Sequence, residues 1–220
     1  MENDQLSFWI SKLEEYLIDH QTDDGSHDIN HFRRVWFLAD KFIHQINSSK
    51  FEIDKLVVLA ACYLHDIVSY PKSSPLRSQS SRDAAKKAAL ILRDLDFPLE
   101  KISHVEHAIA AHSFSANIAP ETMEAKIVQD ADRMESLGAI GLARCFYTSG
   151  LNQSRLFHND DPFATNRELN DQAYAVDHFY TKLLKLPELM QTEMGKREAL
   201  ERNQLLLTFL SSLKEELRVL

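Results

Sequence analysis

Apolar residues recur every three or four positions along most of the chain, a spacing that predicts amphipathic α-helices. The first such segment covers about residues 4–19, and a second begins at Asp28, whose carboxylate suits a helix N-cap. A nearly continuous apolar run follows and ends in His65 and Asp66, which predicts a third, buried helix from about residue 54 to residue 66. No convincing alternation with a period of two is present, and five glycines and six prolines leave few turns for a sheet. The pattern predicts an all-α fold.

The later segments continue the helical pattern. Ser80 or Ser81 suits the cap of a fourth helix, and prolines open a fifth helix running towards His112 and a sixth from residue 120. We expect the sixth helix to include Gly138 and Gly141, which indicates a close approach of another backbone. Residues 157–170 are polar and rich in turn formers, so we expect a flexible insert there, followed by two last helices. The prediction is one compact bundle of about seven or eight helices, a single domain over residues 1–220.

Composition narrows the classes of function. A formal net charge of −8 argues against a long nucleic acid as partner, but it leaves room for a small anionic substrate in a local basic pocket. No run of 18 apolar residues and no leading apolar segment is present, so we expect neither a membrane span nor secretion. Cys62 and Cys145 lie in apolar stretches and are typical of buried thiols in a reducing, cytoplasmic compartment.

Three separated stretches offer metal ligands. His31 lies in the first, His65 and Asp66 end the apolar run, and Asp130 and Asp132 lie in the third. An ionised carboxylate at the edge of a core is costly unless a cation compensates it, although an isolated His-Asp pair also fits the polar end of a helix. Two imidazoles and two carboxylates suit one divalent transition metal, Mn, Fe, Co, Ni or Zn, better than Mg. Two residues apart on a helix, Asp130 and Asp132 cannot face the same way.

Taken in order, these stretches resemble the HD-domain metal-dependent phosphohydrolase superfamily, and in particular a small, single-domain bacterial branch of it. The resemblance covers about residues 25–215 and rests on His31 in Asp-x-x-His-x-x-Arg-Val, on His65-Asp66, and on Asp132 in Asp-Ala-Asp-Arg. Weaker similarity extends to Pro71-Lys72 with Arg77, Ala-Ile-Ala-Ala-His112-Ser-Phe, Gly-Ala-Ile-Gly, and Asp177-His178-Phe-Tyr with Lys182. The resemblance implies that His31, His65, Asp66 and Asp132 bind one divalent metal inside a helical bundle. It favours Asp132 over Asp130. Asp130 would then either accept a hydrogen bond that orients a ligand histidine or pair with a residue of its own helix.

The region after His65-Asp66 departs from the nucleotidases of the superfamily. Those enzymes, as the resemblance implies, often have an acid a few residues later, whereas residues 67–70 read Ile-Val-Ser-Tyr. His107 and His112 are candidates to protonate a leaving oxygen or to hold a phosphate, although each also fits a surface or helix-end histidine. Five basic residues are candidates for phosphate contacts, although each also fits a solvated helix face: Lys72, Arg77, Arg133, Arg34 and Lys182.

The predicted function is metal-dependent hydrolysis of a small phosphorylated metabolite, with a nucleotide as first candidate. Because no acid follows Asp66, we favour release of pyrophosphate from a nucleoside triphosphate, whose leaving group needs less protonation. Three alternatives stay open: a two-metal phosphodiesterase or oxygenase that uses the extra histidines, a nucleotide-sensing domain without turnover, and a structural or partner-binding helical bundle, which would need no converging ligands.

Overall fold

The computed structural model describes residues 2–20, 28–46, 52–70 and 74–219. Within these ranges the chain forms nine α-helices and no β-strand, apart from one isolated bridge between Arg155 and Tyr174, so the all-α prediction is confirmed. The helices are α1 (Glu2–His20), α2 (Ile29–Gln45), α3 (Lys55–Leu64), α4 (Ser80–Asp94), α5 (Leu99–His112), α6 (Met123–Met134), α7 (Gly138–Leu151), α8 (Ala175–Thr181) and α9 (Glu193–Glu216). Among the described helices, none combines the length and the apolar character that crossing a membrane requires.

The chain divides into two compact units, and the division falls in the last turn of α6. The first unit ends at Asp132 and contains α1 to α5 with most of α6, whereas the second begins at Arg133 and contains α7 to α9. The single domain expected over residues 1–220 stays a prediction.

Helix α3 is the centre of the first unit. It packs against α1, α2, α4 and α5, and every residue from 56 to 65 is buried. Asp54 caps its N-terminus by accepting hydrogen bonds from the main-chain N–H groups of Leu56 and Val57. The helix ends at Leu64, two residues earlier than predicted, because the following side chain turns back onto the last turn. The apolar run therefore delivers His65 and Asp66 to the end of a fully buried helix.

Helix starts agree with the sequence prediction in one case and differ in another. The Asp28 carboxylate accepts a hydrogen bond from the His31 N–H at 2.9 Å, so the predicted N-cap of α2 is confirmed. The serine cap predicted for α4 is wrong, because Gln79 occupies the N-cap position and no side chain caps this helix. Ser80 instead accepts a hydrogen bond from the Tyr70 N–H, and the Ser81 hydroxyl donates to a carbonyl of α5.

The predicted continuation of α6 through two glycines is wrong. Helix α6 ends at Met134, and α7 begins at Gly138, whose φ of +66° favours glycine because other residues carry a strained Cβ there. The close approach predicted at Gly141 is confirmed, since a Cβ there would lie 2.1 Å from the carbonyl carbon of Ser136. Gly138 thus provides the turn between α6 and α7, and Gly141, within the first turn of α7, leaves room for the Ser136 backbone.

The polar segment predicted as a flexible insert is held by a buried acid of the second unit. Arg167 donates two hydrogen bonds to the Asp177 carboxylate, at 2.6 and 2.7 Å, and the Asn170 N–H donates to the same group at 2.6 Å. The Arg167 guanidinium also lies 4.7 Å from the centre of the Tyr174 ring. Asp177 is fully buried, and these donors compensate its charge.

Candidate metal centre

Five potential metal ligands converge in the first unit, each close to the end of a helix. His31 lies in the first turn of α2, and His65 and Asp66 follow the last turn of α3. His112 is the last residue of α5, and Asp132 lies in the last turn of α6. The C-terminal ends of α3, α5 and α6 carry partial negative charge, because their last carbonyl groups point out of each helix. This arrangement favours a cation among the five side chains.

Three of the five ligand atoms form a triangle of the size that a metal ion requires. His31 Nε2 lies 3.1 Å from His65 Nε2, and Asp132 Oδ1 lies 3.7 Å from the former and 3.5 Å from the latter. A point equidistant from the three atoms is about 2.0 Å from each, within the bond lengths of about 2.0–2.2 Å that nitrogen and oxygen ligands make to zinc. Both histidines are fully buried, whereas the Asp132 side chain keeps 25% of its exposure. The triad therefore fits a divalent ion that stays reachable from solvent.

Two of the histidines are oriented by the same kind of hydrogen bond, from the ring to a main-chain carbonyl. The Nδ1–H of His65 donates to the Cys62 carbonyl at 2.9 Å, and the Nδ1–H of His112 donates to the Ile109 carbonyl at 2.6 Å. In each case the acceptor lies three residues earlier, at the end of the helix that carries the ring. A ring with its proton fixed on Nδ1 presents the Nε2 lone pair outward, as a metal ligand or a proton acceptor must.

Asp66 connects His112 to the other ligands. Its Oδ2 lies 3.7 Å from His65 Nε2, and its Oδ1 lies 3.5 Å from His112 Nε2. His65, Asp66 and His112 thus form a second group whose ligand atoms all lie within 4.8 Å of one another. The two groups share His65, and an imidazole Nε2 has a single lone pair. His65 therefore cannot bind a separate ion in each group, and the geometry favours one ion.

The electrostatics of the cluster reflect its excess of negative charge. Burial by itself lowers the pKa of His65, but the charges of Asp66 and Asp132 outweigh it and raise this pKa to about 9. Burial raises the pKa of Asp132, and the hydrogen bond and charge of His65, together with the charge of His112, bring it well below its usual range. Without a cation, His65 is thus protonated at neutral pH and can donate to the facing Nε2 of His31. A bound metal would replace this proton.

The structure places the two candidate aspartates of α6 differently. Asp132 faces His31 and His65, whereas Asp130 is fully buried and belongs to neither group of converging ligands. This is the geometry expected from their separation of two residues on a helix.

The two candidate histidines of α5 are likewise separated. His107 is half-buried, and its Nε2 accepts a hydrogen bond from the Glu121 N–H at 3.0 Å, which fastens the loop between α5 and α6. His112 reaches Asp66. Of the two predicted residues, the structure therefore brings only His112 to the cluster of ligands.

The predicted phosphate-binding residues lie in several places. Lys72 lies outside the described residues. The Arg77 guanidinium donates to the Tyr70 carbonyl at 2.7 Å and thereby closes the loop after α3, and Arg34 is half-buried on α2. Two others belong to the second unit: Arg133 donates to the Leu189 carbonyl at 2.6 Å, and Lys182 follows the last residue of α8.

Sequence reasoning missed the side chains that support the ligands. Gln129 donates to the Ala111 carbonyl next to His112, at 2.6 Å, and it lies three residues before Asp132 on the same face of α6. Glu14 of α1 accepts hydrogen bonds from Arg33 of α2 and from Tyr63 of α3. The helical spacing from Gln129 to Asp132 was a usable signal, whereas nothing local in the sequence pairs Glu14 with α2 and α3.

Comparison with known proteins finds one domain family and several similar proteins along this chain. The HD domain matches residues 28–137, half of the chain. The uncharacterized protein YpgQ of Bacillus subtilis is 28% identical over 222 aligned positions, which cover 97% of this chain and 93% of YpgQ. A crystal structure of YpgQ in complex with ADP has a TM-score of 0.66 at 27% identity, with 97% of this chain and 96% of that chain covered.

Two further crystal structures match along their whole length. The Lin1889 protein of Listeria innocua and an HD-superfamily hydrolase of Bacillus thuringiensis both have a TM-score of 0.70 at 27% identity. The alignments cover all of this chain, with 99% of the first relative and 100% of the second. With the matched domain spanning the converging His31, His65, Asp66, His112 and Asp132, the chain belongs to the HD-domain family.

Proposed function

We propose that this protein is a metal-dependent phosphohydrolase that acts on a small phosphorylated metabolite, with a nucleoside triphosphate as the preferred class. The observation that supports it most is the triangle of His31, His65 and Asp132 ligand atoms, whose size fits one divalent ion. A relative of this chain, YpgQ, has been crystallised with ADP, which supports a nucleotide ligand. The identity of the metal, Mn, Fe, Co, Ni or Zn, belongs to the proposal as well.

In this proposal His31, His65, Asp66 and Asp132 hold the ion. When bound, a divalent cation supplies Lewis-acid activation of water and neutralises charge on a phosphate group. Asp66 offers one carboxylate oxygen towards His65 and the other towards His112, so its carboxylate lies between the two histidines. His112, with its proton fixed on Nδ1, carries or accepts the exchangeable proton at Nε2, where a phosphate oxygen or a leaving oxygen would lie.

The preferred reaction balances as a hydrolysis. The water oxygen would form a bond to the α-phosphorus and release a proton, and the bond from that phosphorus to the bridging oxygen would break. Nucleoside monophosphate and pyrophosphate would be the products. Residues 67–70, directly after Asp66, contain no acid to protonate a poor leaving group, and pyrophosphate needs little protonation. Of the basic residues, Arg34 and Arg77 belong to the same unit as the metal ligands and are the proposed phosphate contacts. Lys72, which lies outside the described residues, and Arg133 and Lys182, which belong to the second unit, stay predictions from the sequence. Arg77→Ala should mainly raise KM if its guanidinium grips the polyphosphate in ground and transition states alike.

The test is a nucleotide panel assayed for two products separately. Protein purified without chelator is mixed with Mn and with mono-, di- and triphosphates, and orthophosphate and pyrophosphate are measured. We expect pyrophosphate from triphosphates and no activity in Asp66→Ala, which loses a proposed ligand and the carboxylate that faces His112. Orthophosphate released from monophosphates alone would refute the substrate class. Binding of nucleotide without either product would refute the enzyme and favour the nucleotide-sensing alternative.

A further inference from the structure

The C-terminal end of α5, which carries His112, is held by side chains of three elements. The carbonyl of Ile109 accepts from His112 itself, the Ala110 carbonyl accepts from the Ser81 hydroxyl of α4 at 2.9 Å, and the Ala111 carbonyl accepts from the Gln129 amide of α6 at 2.6 Å. The last carbonyls of a helix have no partner within it, and a glycine after the helix or water commonly satisfies them. Here the residue after the helix is an extended serine, and neighbouring helices provide the donors.

Gln129 is an unexpected residue for its surroundings. It keeps only 2% of its exposure, and its Oε1 is buried without a hydrogen-bond donor among the described residues. Burying an unsatisfied amide oxygen costs free energy, and a methionine of similar length would avoid this cost. The hydrogen bond that its Nε2 donates to the Ala111 carbonyl, next to His112, explains why an amide side chain lies at this buried position.

This contact lies between two of the helices that carry the metal cluster. Gln129 precedes Asp132 by three residues on α6, so both side chains lie on one face of that helix. Its amide reaches the residue before His112, whose Nε2 lies 3.5 Å from Asp66 Oδ1. The hydrogen bond thus fixes the distance between the helix end that carries Asp132 and the helix end that carries His112.

We propose that Gln129, assisted by Ser81, is a positioning residue that holds the last turn of α5 so that His112 Nε2 faces Asp66. Gln129 belongs to neither group of converging ligands, and it acts through the Ala111 carbonyl. The inference about catalysis rests on the proposed function, in which His112 handles a proton or a phosphate oxygen. The inference about geometry does not, because it concerns the orientation of one imidazole.

The kinetic test is a double-mutant cycle. Gln129→Met keeps the length of the side chain and removes the donor, and we expect kcat to fall about tenfold or more with little change in KM or in bound metal, since small misplacements of a reacting group are costly. The double variant with His112→Ala should be no slower than His112→Ala alone, because a positioning residue has nothing left to position. Multiplicative losses in the double variant would overturn the inference.

A matched control exists in the second unit. The Asn203 amide donates to the Leu184 carbonyl at 3.3 Å, and its Oδ1 is also buried without a donor among the described residues. Asn203→Leu therefore removes the same kind of buried amide from a different place, and we expect it to leave kcat unchanged.

If Gln129→Met does not fold, Ser81→Ala provides a second test. It removes the adjoining hydrogen bond with little change in volume and should also lower kcat. An unchanged kcat in Ser81→Ala, with an unchanged His112 ring, would then refute the inference.

The second readout does not depend on turnover. In zinc-loaded protein with ¹⁵N-labelled histidine, the ring signals of His112 are identified by their loss in His112→Ala. Gln129→Met should shift or broaden these signals and leave those of His65 in place, because His65 is oriented by Cys62 instead. Unchanged His112 signals would overturn the inference even if activity fell. Altered signals in a protein that hydrolyses no nucleotide would support the positioning and refute the proposed function instead.

Discussion

Replacing Asp132 by asparagine should abolish most of the stabilisation that a divalent metal confers. Asp132 is the anionic member of the triangle that it forms with His31 and His65, and the substitution keeps its shape while removing its charge. A ligand present at 100 times its Kd stabilises a folded protein by about 2.7 kcal/mol. For a chain of this length, each kcal/mol raises Tm by about 2–4 °C, so the wild-type protein should gain about 5–11 °C.

The expected loss follows from the role of a direct ligand. Even residues that only support metal ligands change metal affinity by about 10–100-fold, so loss of a ligand charge should cost at least 100-fold. The same metal concentration then equals Kd, the stabilisation falls to about 0.4 kcal/mol, and the rise in Tm falls to about 2 °C or less.

Thermal melts of chelator-treated protein, with and without added Mn or Zn, measure this difference directly. The matched control is Asp130→Asn, the same chemical change two residues earlier at a fully buried position outside both groups of ligands. Its baseline Tm can differ from that of wild type, and because Asp130 supports the site at most through a ligand histidine, the rise on adding metal should stay larger than in Asp132→Asn. A full rise in Asp132→Asn, or its loss in Asp130→Asn alone, would refute the assignment of the ligand.

Two further predictions concern stability. Hydrogen bonds from Arg33 and Tyr63 lower the pKa of Glu14, and burial opposes them only in part. The ionised Glu14 therefore stabilises the fold at pH values above its unfolded pKa near 4.5. This stabilisation is lost as the pH falls through the lower pKa of the folded state. Glu14→Gln should therefore weaken the dependence of the free energy of unfolding on pH below about pH 5, measured by urea melts, and an unchanged dependence would contradict this. Leu59→Ala, at a fully buried position of α3, should cost about 2–5 kcal/mol in the same melts, whereas Leu90→Ala, 60% exposed on α4, should change stability by about 0.5 kcal/mol or less. Equal effects of the two leucine variants would contradict the central place of α3.

The sequence was sufficient to predict the position of a residue where the neighbouring residues along the chain alone determine it. The apolar run before His65 and Asp66 requires burial on all sides, and the structure buries every residue from 56 to 65. Covalent continuity then places the two polar residues at the end of α3, whatever the rest of the fold does. Asp28 was predictable for the same reason, because an N-cap depends on the next three residues only.

Features that depend on distant contacts were not accessible in this way. Helical periodicity separates Asp130 from Asp132 by about 200° but does not say which faces the histidines. The hydrogen bond from the Arg77 guanidinium to the Tyr70 carbonyl was not predictable either, and the phosphate contact of Arg77 stays a prediction. The place of Gln129 depends on a hydrogen bond to Ala111, 18 residues away in sequence.

The converging helix ends explain why one cation suits this cluster better than two or none. Three helix C-termini and two carboxylates place negative charge around His65 and His31, whose Nε2 atoms lie only 3.1 Å apart. Two lone pairs at this distance repel each other unless a proton or a metal lies between them. Despite burial, the charges of Asp66 and Asp132 raise the pKa of His65 to about 9, which favours a proton at this place when no metal is bound. His31 and His65 would hold a divalent ion at the same place through both lone pairs, and its charge would offset more of the negative charge than a proton does. Because both nitrogens would then be occupied, His112, whose Nε2 faces the proposed ligand Asp66, is the histidine left to meet the substrate.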